Sequence, residues 1–252
     1  MAYFGAADAY DGFIGRYSRF LSPQLADLAG VRAGQRALDV GCGPGALTAE
    51  LVPRLGPAGV SAVDPSEPFV AAARERYPGV DIHLASAERL PFPDGTFDAA
   101  LAQLVVHFMT DPIGGIREMA RVCRPDGVVA ACVWDHAGAH GPLSLYWRAA
   151  RSLDPDVDDE SRLPGTRQGD LVALFQSAGL RKVEASVLWV SVEHETFDEW
   201  WAPFTQGVGP AGAYYASLSL ERQAALREAA RALAPEAPFT ITAGAWAARG
   251  VV

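Results

Sequence analysis

Two carboxylates and a glycine turn, Asp39 and Asp64 around Gly41, Cys42 and Gly43, carry the clearest chemical signal in the chain. The turn lies in Ala37-Leu38-Asp39-Val40-Gly41-Cys42-Gly43-Pro44-Gly45-Ala46-Leu47, where β-forming residues lead into glycines and then into a helix-forming stretch. Glycines in such a turn let the backbone approach a ligand and adopt φ angles that a Cβ forbids. Asp64 ends the next β-rich run, a position from which an acid accepts hydrogen bonds from both hydroxyls of a ribose. An adenosine-containing cofactor is implied.

Gly41, Gly43 and Ala46 also fit the dinucleotide fingerprint with alanine in its third place, so an NAD(P)-dependent oxidoreductase is one alternative. Asp39 weighs against it. A carboxylate two residues before the first glycine faces the loop in which a dinucleotide must seat two phosphates. S-adenosylmethionine presents an ammonium and a sulfonium there, which a carboxylate favours. A protein that binds S-adenosylmethionine without turnover is the other alternative.

His107 is the best candidate base, because it follows the fourth β-rich run, at the edge where open α/β sheets bind ligands. Its alternative is a histidine that only shapes the pocket. His136 and His140 have the four-residue spacing of paired metal ligands on a helix, but Gly138, Gly141 and Pro142 disfavour a helix there. No cysteine or carboxylate cluster completes a site in the sequence, so no metal is expected. The lone lysine, Lys182, sits between a predicted helix and strand, and neither a serine nucleophile elbow nor a P-loop is present.

The elements that must position these residues are legible from periodicity. Short β-rich runs at Ala37 to Val40, Val60 to Val63, Asp81 to Leu84, Ala99 to Ala102 and Val128 to Val133 alternate with helical segments. Their near-continuous apolar character suits strands covered on both faces, which predicts a doubly wound α/β core. Ser66 is placed to cap one helix, and Asp111-Pro112 to open another that ends before the turn Arg124-Pro125-Asp126-Gly127. Ahead of the core, Tyr10, Phe13, Ile14, Tyr17, Phe20 and Leu21 recur at helical spacing. A second short helix is predicted there, with Ser22 as N-cap and Pro23 at its first position. A helix over Leu171 to Ala178 and two late strands, Val183 to Val192 and Phe239 to Ala248, complete the pattern. Helix-forming residues between those strands are expected to form a cap. Its Trp200, Trp201, Phe204, Tyr214 and Tyr215 either roof an apolar acceptor or, more simply, hold the cap together.

Composition bounds the function class. The chain has 252 residues, half of them apolar and a fifth charged, with a net charge of -9. That balance offers no basic stripe for a nucleic acid, whereas a neutral or cationic small molecule is tolerated. No apolar run approaches the ~18 residues of a membrane span, and the first residues lack the pattern of a signal peptide. Three cysteines, Cys42, Cys123 and Cys132, suit reduced thiols, so a cytoplasmic location is expected.

Taken in order, Leu38 to Gly45, Asp64, Ala85-Ser86-Ala87-Glu88-Arg89-Leu90-Pro91-Phe92 and Phe97-Asp98 to Val106 resemble the successive motifs of class I S-adenosylmethionine-dependent methyltransferases. The likeness is strongest to the branch of the ubiquinone and menaquinone methyltransferases and covers residues 35 to 135. It implies a Rossmann-like, seven-stranded, mostly parallel sheet with a small helical cap. The implied layout is an N-terminal helical lid over 1–34, a cofactor-binding core over 35–193, a cap over 194–237 and a final strand over 238–252. It also implies S-adenosylmethionine as cofactor and S-adenosylhomocysteine as product, while the cap aromatics point to an apolar or aromatic small-molecule acceptor.

Carried over by position, Gly41, Cys42 and Gly43 line the methionine half, Asp39 holds the ammonium and Asp64 the ribose. Pro65 and Phe69 flank adenine, and Ser86, Ala87 and Glu88 pass its edge. Serine at 86 replaces the usual aspartate and weakens that contact. Gln103 marks the backbone that holds the methionine ammonium. Gly15-Arg16-Tyr17-Ser18 resembles relatives in which an N-terminal helix closes over the cofactor. Arg16 then pairs with the cofactor carboxylate, or is an exposed arginine on an amphipathic helix.

Overall fold

The computed structural model describes residues 10–252, so the first part of the expected 1–34 lid lies outside the described residues. A single helix, α1 (Arg16–Leu28), opened by a π-helical turn over Asp11–Gly15, precedes the sheet. It buries Tyr17, Ser18, Leu21, Ser22 and Leu25 along one face. The predicted break at Ser22 and Pro23 is absent. The Ser22 hydroxyl donates to the Ser18 carbonyl (3.1 Å) and the Ala46 carbonyl (3.2 Å), so it bonds back into the helix and onward to its neighbour instead of capping a new start.

The sheet then builds as the alternation predicts. Strand β1 (Ala37–Val40) leads into α2 (Ala46–Leu55), and β2 (Val60–Asp64) into α3 (Glu67–Arg76). Next come β3 (Asp81–Leu84), β4 (Phe97–Gln103), α4 (Pro112–Val122) and β5 (Cys123–Trp134). Asp111 caps α4 by accepting from the Gly114 N–H, as its position before Pro112 suggests. Ser66 stands at the N-cap position of α3 but its side chain makes no capping bond. The turn expected at 124–127 is absorbed into β5 as an irregularity in its register with β4, with Asp126 at φ +63°.

Beyond β5 lie α5 (Ser144–Leu153), α6 (Asp170–Ser177), β6 (Arg181–His194), α7 (Phe197–Trp201), α8 (Gly209–Ser217), α9 (Leu220–Leu233) and β7 (Phe239–Val251). Helix α5 lies in a Gly- and acid-rich stretch between β5 and α6 that carries no helical signal in the sequence. Its apolar face of Leu145, Tyr146, Trp147, Ala149 and Ala150 is fully formed by packing.

Seven strands form one sheet in the order β3-β2-β1-β4-β5-β7-β6, with β7 antiparallel to both neighbours and the rest of the pairings parallel, as expected. Chain order reverses between β1 and β4, so a crevice opens at their carboxyl ends. One apolar core, around Leu21, Leu25, Leu51 and Leu101, joins α1 and α2 to the sheet. A second, around Leu38, Ile116, Met119 and Phe175, seats α4 and α6 on the other face. A third is made by Phe13, α5 and the helices between β6 and β7. No helix among the described residues is long and apolar enough to cross a membrane.

Candidate functional site: a cofactor cradle beside an apolar cavity

The glycine loop is held across β2. The N–H groups of Gly41 and Cys42 both donate to the Val63 carbonyl, at 2.8 and 2.9 Å. Gly41 has φ +71°, and a Cβ there would lie 2.4 Å from a Val105 methyl, so both backbone angle and space demand glycine. At Gly43 (φ +54°) a Cβ would meet nothing within 4 Å, which leaves an open face for a ligand against the loop. The Cys42 side chain turns away into a small cluster with Ala62, Val70 and Ala73.

Asp64 is tied into this loop. Its two carboxylate oxygens accept from the N–H groups of Gly43 and Ser66, each at 2.8 Å. Burial raises its pKa and those two donors oppose the rise. Each oxygen keeps a further lone pair, so the residue shapes the loop and can still accept from a ribose.

Asp39 is almost wholly buried, at 1% exposure. One oxygen accepts from the Thr48 hydroxyl (2.7 Å), while Oδ1 has no partner. Burial pushes its pKa up to about 7, with the Thr48 hydrogen bond opposing and the charge of Asp64 adding. An unpartnered carboxylate oxygen at such depth calls for a cationic donor. The ammonium of S-adenosylmethionine meets that need, and the residues present fit the cofactor. Two phosphates would instead be set against two buried carboxylates.

The remaining expected residues are dispersed to different tasks. Ala85 donates its N–H to the Asp64 carbonyl (3.1 Å), which brings the segment with half-buried Ser86 alongside the ribose position. Ala87 is buried in the core under α4. Glu88 accepts from the Thr110 N–H (2.9 Å), so its carboxylate organises the start of α4. Phe69 is buried with the edge of Tyr10 against it (centroids 5.4 Å), whereas Pro65 is exposed. Gln103 is the last residue of β4, and its amide donates to the Ser18 carbonyl (3.1 Å), fastening α1 over the crevice. Arg16 forms an ion pair with Glu199 of α7, joining α1 to the cap.

At the carboxyl ends of β4 and β5 lies a small, half-open cavity of about 30 Å³, set in a wider recess of about 420 Å³ that includes open solvent. Its wall includes Tyr10, Phe13, Leu104, His107, Trp134, His136, Leu143, Glu160 and the Val208 to Ala211 segment. Tyr10 therefore touches both the cavity and Phe69, linking it to the cofactor side. None of the five cap aromatics singled out in the sequence lines this cavity. Trp200, Trp201 and Phe204 are buried in the third core, where Phe204 stacks on Tyr146 at 4.4 Å.

His107 lies where the sequence placed it, in a 3-10 turn after β4, and it is buried. Burial and the neighbouring His136 hold its pKa well below the ordinary histidine value, so the ring is neutral. His107, His136 and Glu160 are all buried and offer ligand atoms within 4.8 Å of one another. Glu160 sits in the acid-rich stretch, and its approach to His136 is made by the path of the chain around α5, which no local pattern encodes.

Residues 38–131 match the family described as methyltransferase domain. An uncharacterized 37.1 kDa protein in a transposon of Streptomyces fradiae is 36% identical over 117 residues, covering 44% of this chain and 34% of that protein. The demethylmenaquinone methyltransferase of Bacillus licheniformis is 29% identical over 176 residues, covering 62% of this chain and 75% of the enzyme. The chain thus spans about a third of the length of the Streptomyces relative. The fold is that of phosphoethanolamine N-methyltransferase 2 of Haemonchus contortus, solved with S-adenosylhomocysteine. The TM-score is 0.59 at 19% identity, covering 98% of this chain and 56% of that one. Residues 38–131 thus resemble a methyltransferase domain, on a fold shared with methyltransferases of known structure.

Proposed function

We propose that the protein transfers the methyl group of S-adenosylmethionine to a small, largely apolar or aromatic acceptor held in the cavity at the ends of β4 and β5. One observation carries this reading: the unpartnered Asp39 Oδ1 at the end of β1 and the cavity at the end of neighbouring β4 share one sheet edge. The bound cofactor supplies an activated methyl on a sulfonium. The acceptor's lone pair forms the new bond to carbon as the carbon–sulfur bond breaks, and that electron pair stays on sulfur. The chain's own contribution is alignment and exclusion of water. Asp39 and Asp64 orient the donor, Tyr10 and Phe13 cover the approach, and Val208 to Ala211 close the far wall.

An oxygen or nitrogen acceptor also loses a proton. We place it against the wall formed by His107, His136 and Glu160, which eases that loss. The net charge of -9 supports a small molecule over a nucleic acid as acceptor, and three buried free cysteines support a reducing, cytoplasmic setting.

Thermal-shift measurement against S-adenosylhomocysteine, NAD and NADP tests the donor. Stabilisation by the sulfur compound is expected, since a ligand that prefers the folded state raises its apparent stability. Stabilisation by a nicotinamide cofactor alone would overturn the reading. Homocysteine release across an acceptor library then separates an enzyme from a protein that only binds the cofactor.

A further inference from the structure

His107, His136 and Glu160 come from three separate connections, after β4, after β5 and ahead of α6, yet they converge on one wall of the cavity. His107 Nδ1 and His136 Nε2 are buried without a hydrogen-bond partner. Glu160 Oε2 accepts from the Trp147 indole N–H (3.0 Å), which leaves Oε1 turned towards His136 Nε2 at 3.8 Å. Buried imidazole nitrogens without partners beside a buried carboxylate are polar groups whose bonding capacity the protein leaves unmet. The three residues supply a donor set of two imidazoles and one carboxylate.

We propose that His107, His136 and Glu160 bind one divalent transition-metal ion of the zinc class at the inner wall of the cavity. Two imidazoles and a carboxylate suit zinc and its neighbours over magnesium or calcium, which favour all-oxygen sites. Zinc–ligand bonds of about 2.0–2.1 Å put tetrahedral ligand atoms about 3.4 Å apart. His136 Nε2 and Glu160 Oε1 stand 3.8 Å apart and the three ligand atoms lie within 4.8 Å of one another, so an ion has to draw them together by at most about 1.4 Å. Trp147 fixes the carboxylate as an outer partner orients a ligand. Three protein ligands leave one position, and the small cavity lies beside it. A hydroxyl or thiol of the acceptor bound there gives its proton to water more readily, because the cation stabilises the anion left behind. That last step rests on the proposed methyl transfer, while ion binding itself does not.

The test uses the full chain, stripped with a chelator and dialysed against zinc, with metal measured by plasma mass spectrometry and affinity by calorimetry. One zinc per chain is expected. His136→Ala and Glu160→Gln should each weaken zinc binding by at least about 100-fold, while His140→Ala, on an exposed ring, leaves it unchanged. S-adenosylhomocysteine binding by the same variants reports whether they are folded and keeps the donor reading separate. X-ray absorption of the zinc-loaded wild type needs no variant. Two imidazoles with oxygen in the first shell support the site, and sulfur ligation places the ion at a cysteine and overturns it. Wild-type protein that binds S-adenosylhomocysteine yet takes up no more zinc than the His136→Ala variant also overturns it.

Discussion

The proposed cofactor cradle and the proposed acceptor cavity sit on neighbouring strand ends but are built by opposite means. In the cradle the backbone does most of the work: Gly41, Cys42 and Gly43 are pinned to Val63 and Asp64 by N–H bonds of 2.8 to 2.9 Å. In the cavity, side chains from the π-helical turn ahead of α1, the end of β5, the start of α8 and the connections after β4, β5 and α5 meet. A site made by backbone geometry tolerates no change at its glycines. A site made by side chains can be reshaped at its wall while the donor cradle is left alone.

The sharpest way to break this separation is through the third core. Trp200 is buried among Phe197, Phe204 and Phe239, so Trp200→Ala should lose about 3–5 kcal/mol of folding stability. Below its melting temperature the folded variant should bind S-adenosylhomocysteine as the wild type does. A large loss of donor affinity in folded protein would show that cap and cradle are one unit.

The next effect belongs to the cradle. Asp64→Ala removes two backbone acceptors and the proposed ribose contacts, and should weaken S-adenosylhomocysteine binding by about 2 kcal/mol, or about 30-fold, in calorimetry. Acceptor preference among turned-over substrates should not move.

Asp39 gives the separation a pH signature. Its free-state pKa of about 7 lies above that of an unfolded aspartate. The folded chain therefore takes up the proton first, and folding stability contributed by this group falls as pH rises from the unfolded value through about 7. Binding runs the other way. The ammonium favours the ionised carboxylate, so donor affinity should be constant above about pH 7 and fall up to tenfold per pH unit below it. Asp39→Asn should flatten that profile, and calorimetry across the range decides it.

The smallest expected effect is at the wall. Val208→Ala enlarges the cavity by two methyl groups and should shift the ratio of kcat/KM between large and small acceptors by about tenfold, with donor affinity unchanged.

The strand-turn-helix of the cradle was readable because glycine spacing, β-rich runs and the acid at a strand end are local and periodic. The same holds for the alternation that builds β1 to β5. Reading failed where a tertiary contact overruled a local signal. Ser22 and Pro23 look like a helix start, yet packing of Leu21 and Leu25 on the sheet carries α1 straight through them. Helix α5 hides in a stretch rich in breakers, and its apolar face has meaning only against Trp201 and Phe204.

By itself the sequence determined the fold class and the donor, since each depends on a few consecutive positions and on charge. Tertiary structure alone decided what stands opposite the donor. His107, His136 and Glu160 meet because three connections end at the same sheet edge, and Trp200, Trp201 and Phe204 turn inward because burying them together removes their apolar surface from water.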